Sequence, residues 1–173
     1  VILAAGALPF LPDTLDKQGE NVSTAWEVLA GKKLVSKKVV IAGGGLVGCE
    51  TAEYLMKSGK EVVIVETLDE IALDMEKTNR SALLERFEEL KPTILLNTSV
   101  EAVNSMGLVV SSGGKRKTIA AETVVIALGS VANNDLAAEL RGMVKSLFVI
   151  GDCDKPGQIV DAVGMASYIA RQI

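Results

Sequence analysis

Lys38-Val-Val-Ile-Ala-Gly-Gly-Gly-Leu-Val-Gly-Cys-Glu50, with its continuation to Glu66, constrains this chain more than any other stretch. The apolar run from Val39 to Ala42 reads as a buried parallel strand, and it leads directly into Gly43-x-Gly45-x-x-Gly48. Leu46 to Ser58 then reads as a helix closed by Gly59, and Val62 to Val65 as a second strand ending in Glu66. A βαβ unit of about thirty residues with this glycine spacing is the dinucleotide-binding fingerprint. Gly43 permits the tight turn out of the strand, Gly45 lets the backbone approach a pyrophosphate, and Gly48 lets helix pack closely on strand. The helix N-terminus offers unpaired N–H groups and partial positive charge to phosphate. Glu66 lies 21 residues after Gly45, the distance at which a carboxylate accepts the hydroxyls of an adenosine ribose. A glycine-rich turn that binds nothing would not account for that carboxylate.

The rest of the composition narrows the chemistry. Histidine is absent, which removes Ser-His-Asp and Cys-His nucleophilic catalysis and His-ligated zinc from this chain. Hydride transfer between stacked rings needs no imidazole, because the cofactors carry the chemistry and the protein supplies position. The two cysteines, Cys49 and Cys153, stand 104 positions apart with no Cys-x-x-Cys, so neither a disulfide framework nor a metal site is expected. The net charge of −4, with scattered Lys and Arg, argues against a nucleic-acid surface. No apolar run approaches the roughly 20 residues of a membrane span, and no signal-peptide pattern appears in these residues. A reducing, cytosolic setting is expected. With 49% hydrophobic but 3% aromatic residues, the core must be aliphatic.

Taken in order, Val1 to Gly6 reads as a buried strand with nothing before it to pair with. Pro9, Pro12 and Gly19 mark an irregular connection from Gly6 to Asn21. Thr24-x-x-Glu27 is a capping box ahead of a short helix that ends at Gly31. A domain boundary is placed near Gly31–Lys38, so that residues 1–35 and 130–173 flank a domain of residues 36–129. After the loop Thr67–Asp74, a second helix runs from about Met75 to Leu90, stopped by Lys91-Pro92, and Thr93 to Leu96 forms a third strand. The period then changes to a meander, Val100–Asn104, Leu108–Ser111 and Lys115–Ile119, before the buried strand Thr123–Leu128. The expected fold is α/β and Rossmann-like: a parallel sheet with helices on one face and an antiparallel β-meander on the other. Asn133-Asn134-Asp135 reads as loop, Leu147 to Ile150 as a strand delivering Gly151 and Asp152, and Gln158 to Ile173 as a helix. Asp152 is equally well read as a turn-forming residue. Both ends resemble interior sequence, so the chain is expected to be a piece of a longer protein.

Together these pieces resemble the two-dinucleotide-binding-domain flavoprotein reductases, in which an NADH domain is inserted into an FAD domain. The resemblance is greatest to the C-terminal part of the old-yellow-enzyme-fused members: 2-enoate reductase, 2,4-dienoyl-CoA reductase and trimethylamine dehydrogenase. It is carried by Val1-Ile-Leu-Ala-Ala-Gly-Ala-Leu-Pro9, Ser23-Thr-Ala-Trp-Glu-Val-Leu29, Gly43-Gly-Gly-Leu-Val-Gly-Cys-Glu-Thr-Ala-Glu-Tyr-Leu55, Val124-Val-Ile-Ala-Leu-Gly129 and Val149-Ile-Gly-Asp-Cys153. It implies that Gly43, Gly44, Gly45, Leu46, Val47, Gly48 and Glu66 hold NADH, with Leu46 lining the nicotinamide pocket. Glu50 would approach the carboxamide, and Gly129 would close the site. Gly6, Gly151 and Asp152 would belong to the FAD site, Asp152 on the ribityl chain. Glu50 also reads simply as a first-turn glutamate favoured by the helix dipole, and the cysteines as small buried fillers.

The chain departs from the family pattern in one respect: it has no second Gly-x-Gly-x-x-Gly for FAD. The FMN barrel and iron–sulfur cysteines of the fused members are absent too. The expectation is therefore an NADH-binding module with an incomplete FAD site and no catalytic or metal-ligating residue of its own. It would serve a longer flavoprotein of 2-enoate reductase, dienoyl-CoA reductase or NADH oxidase type. Its partners would be NADH and the remainder of that flavoprotein, with neither nucleic acid nor membrane, and homo-oligomerisation left open. The alternatives are a domain that holds ADP or NAD without catalysis and one whose nucleotide site is vestigial.

Overall fold

Val40, Ile41 and Ala42 are fully buried and Val39 nearly so, because the strand that carries them is covered on both faces. The computed structural model describes residues 1–15 and 19–173. It divides into two compact units, one of residues 1–10 and 130–173 and one of residues 11–129. The first unit opens with strands β1 (Ile2–Leu3) and β2 (Ala7–Pro9). The second begins with β3 (Val22–Thr24) and helix α1 (Ala25–Leu29), then β4 (Lys38–Ala42), α2 (Leu46–Lys57) and β5 (Glu61–Val65). Helix α3 (Lys77–Leu90) and β6 (Thr93–Leu95) follow. Next come β7 (Ser99–Asn104), β8 (Gly107–Ser112), β9 (Lys115–Ala120) and β10 (Thr123–Ile126). The chain returns to the first unit with β11 (Ser130–Ala132), α4 (Asp135–Leu140), β12 (Phe148–Val149) and α5 (Ile159–Ile169).

In the larger unit a five-stranded parallel sheet runs in the order β3-β10-β4-β5-β6. Its side chains alternate between two cores, as the period of two requires. Val39, Ile41, Val62, Ile64 and Val125 meet Leu55, Leu83 and Phe87 on the helical side. Val40, Ala42, Val65, Val124 and Ile126 meet Leu108 and Val110 of the β7-β8-β9 meander on the other. This double burial is why the strands read as unbroken apolar runs. The unit is thus the expected three-layer α/β arrangement.

Helix α2 lies close to the sheet because Gly48 has no side chain: a Cβ there would stand 2.0 Å from the Gly43 carbonyl oxygen. Gly43 is at φ +107, and a Cβ on it would be 2.2 Å from the Ala127 carbonyl oxygen. Helix α3 is tied to α2 by a bidentate pair, with Arg86 Nε donating to Glu53 Oε1 at 2.5 Å and an Arg86 terminal nitrogen to Oε2 at 3.1 Å. That hydrogen bond, helped by Lys57 and opposed by burial, holds the Glu53 carboxyl below the ordinary glutamate range.

Several expectations are corrected. The larger compact unit begins at Leu11, and Val22, Ser23 and Thr24 pair with Val124, Val125 and Ile126 at the sheet edge, a strand not expected from the sequence. Three residues, two of them polar, carry too little pattern to reveal a strand, although the Thr24–Glu27 capping box is present as read. Val1–Gly6 is not a buried strand throughout. Only Ile2–Leu3 is extended, Ile2 is half exposed, and the pair runs parallel to Phe148–Val149. Within the supposed irregular connection, Ala7–Pro9 pairs antiparallel with Ser130–Ala132, while residues 16–18 of it lie outside the described residues. The Asn133–Asp135 loop runs into α4, whose N-cap is Asn134. The second helix starts at Lys77 rather than Met75, capped by Glu76, whose carboxylate accepts from the Thr78 and Asn79 N–H groups.

Two outcomes follow for stability. Gly48→Ala should cost at least about 3 kcal/mol, since backbone must shift, whereas Gly59→Ala, at φ +77 in open space, should cost only about 1–2 kcal/mol; thermal melting compares them. A carboxyl whose folded pKa is depressed contributes stability above its unfolded value, here 4.5, and loses it as pH falls further. The drop in stability between pH 7 and pH 3 should therefore be smaller in Glu53→Gln than in the parent.

Candidate functional site

The C-terminal ends of β4, β5 and β10 open onto a cleft of about 360 Å³. Its floor is the run Gly43–Val47, with Glu66 on one side and Ala127 to Gly129 on another. A larger hollow of about 480 Å³ lies at the opposite edge of the sheet, beside Lys38, Lys60 and Lys91. In open α/β sheets ligands bind outside the carboxyl ends of the strands, so the smaller cleft is the candidate site despite its size.

Its local geometry is built from backbone. Gly43 N–H continues the ladder to the Val65 carbonyl at 2.9 Å. Gly45 is the N-cap of α2 and supplies no side-chain cap. Glu66, delivered by the end of β5, accepts the Gly44 N–H on Oε2 at 2.7 Å and the Leu68 N–H on Oε1 at 2.9 Å. A carboxylate has about four lone-pair sites, so half its accepting capacity remains. Asp74 reaches in from the β5–α3 loop and accepts the Leu46 N–H at 2.7 Å.

The three fingerprint glycines are not equivalent. Gly43 and Gly48 are required by the protein's own backbone, as the 2.2 Å and 2.0 Å approaches show. Gly45 has φ −72, which any residue adopts, and the nearest neighbour of a Cβ there is the exposed Asp74 carboxylate at 3.1 Å. The fold alone does not demand glycine at position 45.

Of the residues singled out in the sequence, Gly43, Gly44, Gly45, Leu46, Val47, Glu66 and Gly129 share the cleft. Gly48 is buried beneath it against Gly43. Glu50 is exposed, lies beyond the first turn of α2, which corrects the first-turn reading, and does not line the cleft. Gly6, Gly151 and Asp152 belong to the other unit. There the Asp152 carboxylate accepts the Gly157 N–H at 3.1 Å, the turn-forming role read as its alternative. Sequence reasoning missed Asp74. The available signal was the apolar pair Ile71-Ala72 within the loop: both are buried, so the loop folds back over the glycine turn.

Cys49 sits under the turn, its thiol donating to the Gly44 carbonyl at 3.2 Å. Burial first, then the charges of Asp74 and Glu66, push its pKa up to about 12. It is a filler of the α2–sheet seam rather than a reactive thiol.

The architecture is that of a Rossmann-like nucleotide-binding class, a parallel sheet under helices with its glycine turn at the carboxyl ends of the strands. The comparisons are more particular. The family model described as pyridine nucleotide-disulphide oxidoreductase matches residues 1–166, and the chain belongs to that family. Among curated relatives it is 41% identical to an NADH oxidase of Thermoanaerobacter brockii, over all of this chain and 28% of that protein. It is 34% identical to a cinnamate reductase of Clostridium sporogenes, over all of this chain and 26% of that one. The solved structure of a 2-naphthoyl-CoA reductase complex superposes with a TM-score of 0.87 at 29% identity, covering 94% of this chain and 25% of that chain. The chain thus spans about a quarter of the length of each of these three proteins. Membership of that family identifies NAD(H) and FAD as the relevant cofactors. Among the described residues no helix is long and apolar enough to cross a membrane.

Cys49 should resist alkylation at pH 8 in the folded protein and react once urea unfolds it, as mass spectrometry would read. The folded state holds the thiol proton more tightly than the unfolded chain, in which it ionises near 9.0. This contribution to stability is full below pH 9 and is lost as pH climbs toward 12; the parent should lose more stability over that window than Cys49→Ala.

Proposed function

We propose that residues 11–129 hold NADH over the Gly43–Gly48 turn and position it for hydride transfer to FAD in a longer flavoprotein reductase. Residues 1–10 and 130–173 would be portions of the FAD domain. The observation that carries this reading is Gly45, a glycine the fold does not require at the one place where a ligand's phosphates must approach the backbone. The residues present fit the adenosine diphosphate half of the cofactor. The N–H groups at the start of α2 are the phosphate donors, and the spare lone pairs of Glu66 are the acceptors for the two ribose hydroxyls. When bound, the dihydronicotinamide supplies a hydride. Leu46 and Gly129, at the mouth of the cleft, would shape the space for its ring, and the flanking Gly43–Gly44 turn fixes where the phosphates sit relative to Glu66.

The electrostatics favour NADH over NADPH. A 2′-phosphate site needs a cation near the end of the second strand. Glu66, Glu70 and Asp74 line the cleft, and among the described residues no basic side chain does. Lys77, the first basic residue after Glu66, is not among the residues that line the cleft, and Arg80 pairs with Glu70 and donates to the Ile71 carbonyl. The names of the relatives, NADH oxidase and cinnamate reductase, support a longer enzyme of NADH oxidase or 2-enoate reductase type. A second reading, nucleotide held without hydride transfer, draws support from Glu50, which lies outside the cleft where a carboxamide contact would need it.

Titration calorimetry at fixed ionic strength tests these readings. Gly45→Val should abolish NADH binding while leaving the melting temperature nearly unchanged. NADPH should bind roughly a hundredfold more weakly than NADH to the parent, a like-charge cost of a few kcal/mol, and Glu66→Arg should reverse the order. Equal binding of both cofactors by the parent would remove Glu66 as the ribose reader. If ADP binds as tightly as NADH and Glu50→Gln changes neither, the nucleotide-holding reading replaces hydride transfer.

A further inference from the structure

The loop between β5 and α3, residues 66–76, is strapped across the glycine turn. Its Ala72 N–H donates to the Gly44 carbonyl at 2.7 Å, with Ile71 and Ala72 buried against the turn. Ala72 takes φ +53 to make this contact, a left-handed conformation uncommon for a residue with a side chain. Arg80 holds the strap from the other side, its Nε donating to the Ile71 carbonyl at 2.9 Å and its guanidinium paired with Glu70. At the end of the strap the Asp74 carboxylate accepts the Leu46 N–H at 2.7 Å. Leu46 is the first residue of α2, so this donor is one of those a pyrophosphate would use. The second Asp74 oxygen stands 3.1 Å from the point a Gly45 side chain would occupy, the same space the phosphates need.

We infer that Asp74 is a latch: an internal anion that occupies the pyrophosphate position and must release the Leu46 N–H before a nucleoside diphosphate can take it. The inference rests on the nucleotide-binding reading above and adds a cost to it. Asp74 and a phosphate are both anions and compete for the same helix N-terminus, so they cannot share one N–H without repulsion. The side chain is exposed, so water can solvate the carboxylate once it turns away from the Leu46 N–H. Ile71 and Ala72, which are buried, can stay in place while it moves. The strap thus separates into an anchored part, Ile71–Ala72, and a movable part, Asp74.

A latch differs from a structural cap in the sign of its effect on binding. Removing a cap weakens both stability and affinity; removing a latch weakens stability slightly and strengthens affinity. The experiment measures melting temperature and calorimetric affinity for ADP, NADH and adenosine in the parent, Asp74→Asn and Asp74→Ala at one ionic strength. The expected result is a small fall in melting temperature with ADP and NADH binding tightened about fivefold in Asp74→Ala, the worth of a charge at an exposed helix N-terminus. Asp74→Asn, which keeps an acceptor but not the charge, should fall between. Adenosine, which has no phosphate, should bind all three alike. In the parent the Leu46 amide resonance should shift on adding ADP, and in Asp74→Ala it should lie elsewhere already without ligand. Unchanged or weakened ADP binding in folded variants, or adenosine tightened as much as ADP, would overturn the latch while leaving the nucleotide site intact. If neither parent nor variants bind any of the three ligands, the nucleotide-binding reading falls, and the latch with it.

Discussion

Everything about this site depends on how closely helix α2 approaches the end of β4. A Cβ on Gly48 would stand 2.0 Å from the Gly43 carbonyl oxygen, and one on Gly43 would stand 2.2 Å from the Ala127 carbonyl. With both side chains absent, three backbone segments meet at van der Waals distance, and the first N–H groups of α2 are aimed across the carboxyl edge of the sheet. Push the helix out by one methyl group and those donors no longer face the space between Glu66 and Gly129. The electrostatic features of the cleft follow from this packing: Glu66 reaches the Gly44 N–H, and Asp74 reaches the Leu46 N–H, because the turn is compact enough to present both.

What could be read beforehand divides along physical lines. β4, β5 and β10 were legible because a strand buried on both faces has to be apolar at every position, and the two cores leave Val39–Ala42, Val62–Val65 and Val124–Ile126 no polar alternative. The meander was legible from its turns. β3 was not, because Val22-Ser23-Thr24 joins the sheet through its backbone, pairing with Val124–Ile126, and backbone pairing leaves no mark on side-chain identity. The same holds for β2, where Pro9 suggests a break although it ends an edge strand. In the site, Gly43–Val47, Glu66 and Gly129 were legible because each sits at an element boundary that the hydrophobic pattern locates. Asp74 lies mid-loop, and its reach to Leu46 depends on Ala72 closing onto Gly44, a tertiary contact with no periodic signature.

The cleft is unusual in its charge. Three carboxylates, Glu66, Glu70 and Asp74, line it, with no lysine or arginine among the described lining residues. A site proposed for a dianionic pyrophosphate would then rely on neutral donors and a helix N-terminus rather than on a side-chain cation. Such donors are aimed and cost no side-chain entropy to order, but they do not neutralise charge over distance. Selectivity in this arrangement comes from exclusion: Glu66 accepts a diol and repels a phosphate placed there.

The two units divide the chemistry as well as the chain. The cleft lies wholly within residues 11–129, and that unit has cores on both faces of its sheet. Nothing in the nucleotide reading therefore depends on the smaller unit. That unit buries only Leu3, Ala137 and Cys153 at its centre and leaves Ile159, Val160 and Val163 of α5 largely exposed. Apolar side chains exposed to that degree contribute little to stability. A unit built from two two-stranded sheets and two helices around three buried side chains has little hydrophobic driving force of its own. Local opening should therefore begin there, in residues 1–10 and 130–173, while the sheet under the glycine turn stays closed. The proposed nucleotide site thus rests on the part of the chain with the larger core, and the proposed FAD contacts, Gly6, Gly151 and Asp152, on the part with the smaller.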